Sequence, residues 1–226
     1  MTRRTKDPVN QPNIHFNEER GYVPMGLLKS REWIEDPRRL VFSMSRYKFV
    51  SKLLSGRQRV LEVGSGDGFN APLILQEVGH LTLSDYCEEF IQDALKRVTP
   101  EWPYEGVVHN FLEGPMDVVF DAAYSLDVLE HIDAKDEDTF IGNICKCLSE
   151  DGVLIMGMPS LESQSYASEG SKLGHINCKS SPDFKILMEK YFHSVFMFSM
   201  NDEVIHTGYH KMAHYIFAVC AHPREQ

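Results

Sequence analysis

The run from Arg59 to Phe69, Arg-Val-Leu-Glu-Val-Gly-Ser-Gly-Asp-Gly-Phe, constrains the fold of this chain more than any other stretch. Val60, Leu61 and Val63 form a short apolar run that ends at Gly64, Gly66 and Gly68. Branched apolar residues followed by alternating glycines predict a buried strand that runs into a tight turn. Glycine lets the backbone adopt positive φ there and lets a ligand approach the main chain closely. Phe69 to Val78 then opens a helix, with Pro72 tolerable only in the first turn. Strand, turn and helix together predict a nucleotide-binding cradle.

Downstream of the cradle, strands and helices alternate, which is the pattern of a parallel α/β sheet. Strands are predicted at Leu81–Ser84, near Val107–Val108, at Phe120–Ser125 and at Val153–Met156, with helices over about 88–98 and 136–148. Leu161 to Ser180 is polar and aperiodic and reads as a long loop, followed by a helix from Asp183 to Tyr191. Ser194–Ser199 and His214–Cys220 are two β-rich runs without a helical pattern between them, so they pair antiparallel at the end of the sheet.

Upstream, residues 1 to about 19 are polar, with Pro8 and Pro12, and are expected to be loosely ordered. Tyr22 to Leu28 and Trp33-Ile34 bring apolar residues that need a surface to cover. Asp36-Pro37 starts a helix that keeps an apolar face through Leu40, Val41, Met44, Tyr47, Val50, Leu53 and Leu54 until Gly56 stops it. Placed there, this helix could fold over the cradle as a lid. The expected organisation is therefore a flexible N-terminus and helical cap over residues 1–56 and one globular unit over 57–226.

A net charge of −10 argues against nucleic acid as a partner. No run of about 18 apolar residues occurs, so no membrane span is predicted. Five scattered cysteines without a signal peptide point to free thiols in a cytoplasmic protein.

The spacing Gly64-x-Gly66-x-Gly68 differs from the dinucleotide pattern G-x-G-x-x-G, because its third glycine comes one residue early. Asp67 sits inside the turn, where it would repel a pyrophosphate and suit a cationic ligand group. Glu62 adds a second negative charge just before it. Asp85 closes the second strand about 20 residues after the first glycine, the offset of an acid that accepts ribose hydroxyl bonds.

Leu61–Gly68, Leu83-Ser-Asp85 and Ser125-Leu-Asp-Val-Leu-Glu-His-Ile132 resemble, in order, the signature blocks of class I S-adenosylmethionine-dependent methyltransferases. The resemblance implies a Rossmann-like, doubly wound sheet of seven strands, order 3-2-1-4-5-7-6, with the last strand antiparallel. It implies S-adenosyl-L-methionine as cofactor. Glu62 and the backbone of Gly64, Ser65, Gly66 and Gly68 would then hold its methionine part, Asp85 its ribose and Tyr86 its adenine. Asn110 stands where the family has an acid near the adenine amine, with Phe111 beside it. Ser125 and Leu126 would face the sulfonium, and Arg46, Tyr47 and Lys48 could reach the cofactor carboxylate.

Histidine is the natural base near neutral pH. His131 follows the fourth strand, and His175 lies on the loop after the fifth, where loops at the carboxyl edge of a sheet cover ligands. Both are candidates for the catalytic base. Asp127 and Glu130 read either as helix-start charges or, for Asp127, as a substrate contact. His206, His210 and His214 repeat every four residues, but Gly208 and the strand-like run from His214 argue against a helix, and no metal site is assigned. The expected activity is methyl transfer to an oxygen or nitrogen of a small-molecule acceptor, by a monomer or homodimer. The alternatives are an NAD-type oxidoreductase and a catalytically inactive cofactor-binding protein of the same fold.

Overall fold

A computed structural model describes residues 3–225, so Met1, Thr2 and Gln226 lie outside the described residues. The strand predicted before the glycine turn, β1 (Arg59–Val63), is buried at every position after Arg59. It runs parallel to β2 (His80–Asp85) on one side and to β4 (Phe120–Leu126) on the other. β3 (Glu105–Val108) extends the sheet beyond β2, and β5 (Leu148–Pro159) extends it beyond β4, both in parallel. Strand order therefore reverses at β1, and the crevice at the carboxyl ends of β1 and β4 is the place where such sheets bind ligands.

The far half of the sheet is antiparallel. β8 (Tyr215–Pro223) inserts between β5 and β6 (Phe192–Asn201) and runs against both. β7 (Val204–His206) hairpins back onto β6, through a turn in which Asp202 has φ +49°. The sheet thus has eight strands in the order β3-β2-β1-β4-β5-β8-β6-β7, where seven are expected. The added strand is the three-residue β7, which lies in the connection read as having no helical pattern; without it the observed order is the expected one, with the last strand in the chain, β8, antiparallel to both its neighbours.

Helices cover both faces. On one side α3 (Arg38–Leu53), α4 (Ala71–Leu75) and α5 (Glu88–Leu95) bury Val50, Ile74 and Ile91 against Val60, Leu83 and Tyr124. On the other, α6 (Glu137–Lys146) and α8 (Ser181–Glu189) bury Phe140, Ile144 and Phe184 against Leu61, Ala123 and Leu154. At about 25 cal/mol per Å² of apolar surface removed from water, these two layers are the main source of stability.

Three local expectations are corrected. α4 ends at Leu75, short of Val78, because the backbone beyond it bonds back to the α3–β1 connection: Gly56 N–H donates to Glu77 O and Gly79 N–H to Arg57 O. The polar N-terminus carries a helix, α1 (Gln11–Arg20), where loose order is expected. The polar segment after β5 forms a 3-10 turn at Glu162–Tyr166 and a short helix, α7 (Glu169–Gly174), whose Ser168 cap accepts from Ser171 N–H. A further helix, α2 (Leu27–Glu35), precedes α3, and its Trp33 and Ile34 remain 55% and 81% exposed. Among the described residues no helix is long and apolar enough to cross a membrane.

Candidate active site

The turn after β1 takes the conformation that its glycines permit. Gly64, Gly66 and Gly68 have φ of +75°, +53° and +61°. A Cβ on Gly64 would lie 2.3 Å from Val128 Cγ2, and one on Gly68 would lie 2.6 Å from Leu83 Cδ1. Glycine is thus required twice over at these positions, for backbone angle and for close packing.

Most amide groups of the turn are already paired. Gly64 and Ser65 N–H donate to Ser84 O, Gly68 N–H to Ser65 O, and Gly66 N–H to Asp85 Oδ2 at 2.9 Å. Phe69 N–H donates to Asp67 Oδ1 at 3.3 Å. A pyrophosphate cradle needs free N–H groups, and this turn spends most of its own on the sheet, on Ser65 O and on two carboxylates.

Asp67, read as suited to a cationic ligand group, has its carboxylate engaged by backbone N–H groups of the protein itself. It is 2% exposed, and its Oδ2 accepts from Leu28 N–H at 2.7 Å and Lys29 N–H at 2.9 Å. Asp93 Oδ2 accepts from Leu27 N–H at 3.2 Å. Two carboxylates from the α/β unit therefore satisfy the orphan donors at the start of α2. Arg97 secures the arrangement by donating to Asp93 at 2.9 Å and to Asp67 O. α2 is thereby pinned over the glycine turn.

Glu62 is also 2% exposed, in a strand with no solvent face. Tyr124, its register partner on β4, donates to Oε2 at 2.7 Å, and Tyr47 from α3 donates to Oε1. Tyr47 therefore positions Glu62 through its hydroxyl while its side chain lines the cleft. Burial pushes the Glu62 carboxyl up to about 7, against the pull of the two hydroxyls. Burial and the nearby Glu62 raise both tyrosines well above 10, so both remain donors.

Asp85 ends β2, with Oδ1 accepting from Cys87 N–H at 2.9 Å and Oδ2 held by Gly66. Each oxygen keeps acceptor capacity for hydroxyls. Tyr86, next to it, is 78% exposed and presents a free ring. Asn110 folds into its own turn: Oδ1 accepts from Leu112 N–H and Nδ2 donates to Glu113. Phe111 is buried in the core against His109 and Phe140, which takes its ring away from a ligand. Ser125 stitches β4 to β1 through a 3.0 Å bond to Val63 O, so its hydroxyl is spent there. Ser65 is buried in the turn, and Leu126 lines the cleft.

That cleft holds about 390 Å³ over the ends of β1, β4 and β5, a size within the ligand-pocket range of about 300–1,000 Å³. Leu28, Lys29 and Glu32 of α2 and Phe42, Arg46 and Tyr47 of α3 form one wall; Asp127, Glu130, His131 and His175 form the opposite one. The lid read from the leading helix is thus made by two helices. Arg46 pairs with Asp127 at 2.6 Å and stacks on Tyr215 at 3.9 Å. Asp127 is held at φ +59°, a strained conformation for a residue with a Cβ. Arg46 therefore does not offer itself freely to a ligand carboxylate, and Lys48 is exposed outside this cleft, beside Val41 and Leu73.

His131 and His175, 44 positions apart in the chain, come together with ring centroids 5.3 Å apart. His131 Nδ1 lies 2.8 Å from Gly174 O, and His175 Nδ1 lies 2.9 Å from Gln164 Oε1. Burial, followed by the neighbouring His131, lowers the pKa of His175. Glu130 is fully buried beneath them with no hydrogen-bond partner on either oxygen, and burial raises its carboxyl well above the usual range. The triad His206, His210 and His214 is dispersed over β7, a 3-10 turn (His210–Met212) and the approach to β8, as the absence of a helical pattern implies. Tyr124, Leu28 and Asp93 are the site residues that sequence reasoning misses. The one available signal was Glu62 itself, since an acid in a wholly apolar strand demands buried donors.

Residues 61–156 match the family described as methyltransferase domain, and the fold around them is that of the class I S-adenosylmethionine-dependent methyltransferases. Among solved structures, the chain is similar to the N-methyltransferase NodS from Bradyrhizobium japonicum WM9 in complex with S-adenosyl-L-homocysteine, at 19% identity. That match covers 83% of this chain and 87% of the other, with a TM-score of 0.59. It is also similar to the putative methyltransferase in complex with the Trm112 methyltransferase activator of Haloferax volcanii, at 14% identity over 86% and 97% of the two chains and a TM-score of 0.65. A third similar structure is the plantazolicin methyltransferase BpumL in complex with S-adenosylhomocysteine, at 14% identity over 86% and 93% and a TM-score of 0.62. A search of curated proteins finds no match.

Proposed function

We propose that this chain is a methyltransferase that binds S-adenosylmethionine and methylates an oxygen or nitrogen of a small-molecule acceptor. The observation that carries the reading is the glycine turn, where the N–H groups of Gly64, Ser65, Gly66 and Gly68 are consumed internally while Glu62 and Asp85 border it. Such a site is poor in free donors and rich in carboxylate oxygens. It suits an ammonium, a sulfonium and ribose hydroxyls, and it disfavours the pyrophosphate of NAD.

Bound there, S-adenosylmethionine supplies an activated methyl group, so the demand on the protein is alignment for in-line displacement. Glu62, oriented by Tyr47 and Tyr124, receives the amino-acid end. Asp85, anchored by two backbone amides, accepts the ribose hydroxyls, and Tyr86 packs against the base. Leu126 lines the cleft towards the reacting centre, and α2 and α3 exclude water from it. His175, which is neutral at neutral pH, and His131 stand on the acceptor side, where either can receive the acceptor's proton.

Calorimetric titration with S-adenosylmethionine, S-adenosylhomocysteine and NAD tests this reading. It requires binding of the first two and none of NAD; tight NAD binding alone would overturn it. Transfer of a labelled methyl group across a panel of hydroxyl and amine acceptors then separates O- from N-methylation.

A further inference from the structure

The acceptor wall contains one polar group that neither the fold nor methionine binding accounts for, the carboxylate of Glu130. It is fully buried, and neither oxygen has a partner. Leaving a buried carboxyl unpartnered costs several times an ordinary hydrogen bond, so such a group calls for a ligand. Around it the chain gathers two imidazoles. One ligand atom from each of Glu130, His131 and His175 lies within 4.8 Å of the others, and His131 Nε2 is 4.0 Å from Glu130 Oε1.

The outer contacts of the two histidines set their tautomers. Gly174 O and Gln164 Oε1 can only accept, so the Nδ1 atom facing each one carries the proton. Both Nε2 atoms are left with lone pairs. A ring whose Nδ1–H is held by an oxygen while Nε2 is free is the usual arrangement of a metal-bound histidine.

The frame is also tied in place before any ligand arrives. Asn177 N–H donates to Glu130 O at 3.0 Å, and Asn177 Nδ2 donates to Glu137 at 2.9 Å. Lys179 pairs with Glu137 at 2.8 Å. The segment carrying His175 is thus bonded directly to the turn carrying Glu130 and His131. The cation nearest this wall, Arg46, is engaged by Asp127.

We propose that Glu130, His131 and His175 bind a divalent first-row transition metal through one carboxylate oxygen and two Nε2 atoms. Nitrogen ligands select manganese, iron, cobalt or zinc over magnesium and calcium. With metal–ligand bonds of about 2.0–2.2 Å, the three ligand atoms close up by about 1 Å through side-chain rotation. The remaining coordination positions face the cleft, where an acceptor hydroxyl can bind. This second part rests on the methyltransferase reading and narrows its acceptor to an oxygen. On this narrower reading the two histidines hold the metal in place of receiving the proton themselves: a metal-bound hydroxyl gives up its proton to solvent, and its oxygen pair forms the O–CH₃ bond. The sulfonium C–S bond breaks as it forms, and its electron pair stays on sulfur as the thioether.

The test uses the full chain, stripped with a chelator and titrated with Co²⁺ and Zn²⁺. One metal ion per chain is expected, with the ligand-field absorption of Co²⁺ bound to nitrogen. Glu130→Gln, His131→Ala and His175→Ala should each weaken binding by about 10-fold or more, while His206→Ala should leave it unchanged. Glu130→Gln keeps the shape of the side chain and His175 is partly exposed, so circular dichroism of these two confirms that a loss is not unfolding. Equal metal affinity in wild type and the three variants, or a loss confined to His206→Ala, would overturn the site. S-Adenosylhomocysteine calorimetry separates the two readings. Cofactor binding without any metal effect refutes the site alone; metal binding lost in the three variants without cofactor binding refutes the methyltransferase reading and leaves the site.

Discussion

The carboxylate of Asp67 lies 2.7 Å from the backbone N–H of Leu28 and joins the glycine turn to the first turn of a helix 39 residues earlier in the chain. The turn and the helical cover are therefore one structural unit. An acid that looks from its position like a ligand contact is the N-terminal cap of α2.

Asp67→Ala should destabilise the protein by about 2 kcal/mol, the loss of a cap that serves two amides. Hydrogen exchange should show the Leu27–Glu35 amides losing protection while β1 keeps its own. Unchanged protection in α2 would mean that packing, and not the cap, holds the helix.

Gly64→Ala combines positive φ with a contact 2.3 Å from Val128. A left-handed non-glycine residue costs about 1–2 kcal/mol and overpacking adds about 1–3 kcal/mol. Adding Val128→Ala should recover the packing part and leave the backbone part. Urea unfolding of the two single variants and the double variant measures the coupling, and strict additivity would refute the contact.

Glu62 has a carboxyl raised from 4.5 to about 7. Below about pH 4.5 the folded and unfolded chains both hold the proton. Between 4.5 and 7 the unfolded chain releases it first, so stability falls as pH rises, and above 7 the loss is constant. The gap corresponds to about 3 kcal/mol at about 1.36 kcal/mol per pH unit. Glu62→Gln should remove this component, seen by comparing urea unfolding at pH 4 and pH 8. Cofactor affinity of the wild type should rise through pH 7, as Glu62 ionises.

Asp85→Ala should weaken binding of S-adenosylhomocysteine by about 1–3 kcal/mol, because paired hydroxyls lose a charged acceptor. It should also lower stability, since the N–H groups of Gly66 and Cys87 lose theirs. Calorimetry with unchanged affinity would remove Asp85 from the cofactor site.

His175→Ala should lower kcat by about 10²-fold or more with cofactor affinity retained. Steady-state kinetics set beside calorimetry makes the distinction. A loss confined to cofactor binding would move His175 out of the acceptor wall.

Much of this architecture was legible locally. The alternation of strands and helices, the switch point at β1 and the antiparallel end follow from short patterns that encode their own secondary structure. Asp85 at the end of β2 and His175 near the cleft were placed by the same logic. The surroundings of Ser125 and Phe111 were not legible, for the opposite reason. Whether a side chain faces the cleft, a neighbouring strand or the core depends on twist and packing, which a linear pattern does not carry. Two polar stretches read as loose formed helices, α1 and α7, the second capped by Ser168 through a short local bond, while the start of α2 borrows its caps from the distant Asp67 and Asp93.

The chain alone specified the glycine turn, its flanking acids and the parallel sheet, because these depend on residues within a few positions of one another. The tertiary structure alone decided which acids remain for a ligand. Folding spent Asp67 on α2, gave Glu62 two tyrosines from distant elements, and set Glu130 unpartnered beneath His131 and His175. Those pairings join residues up to 62 positions apart and exist only once the core has brought them together.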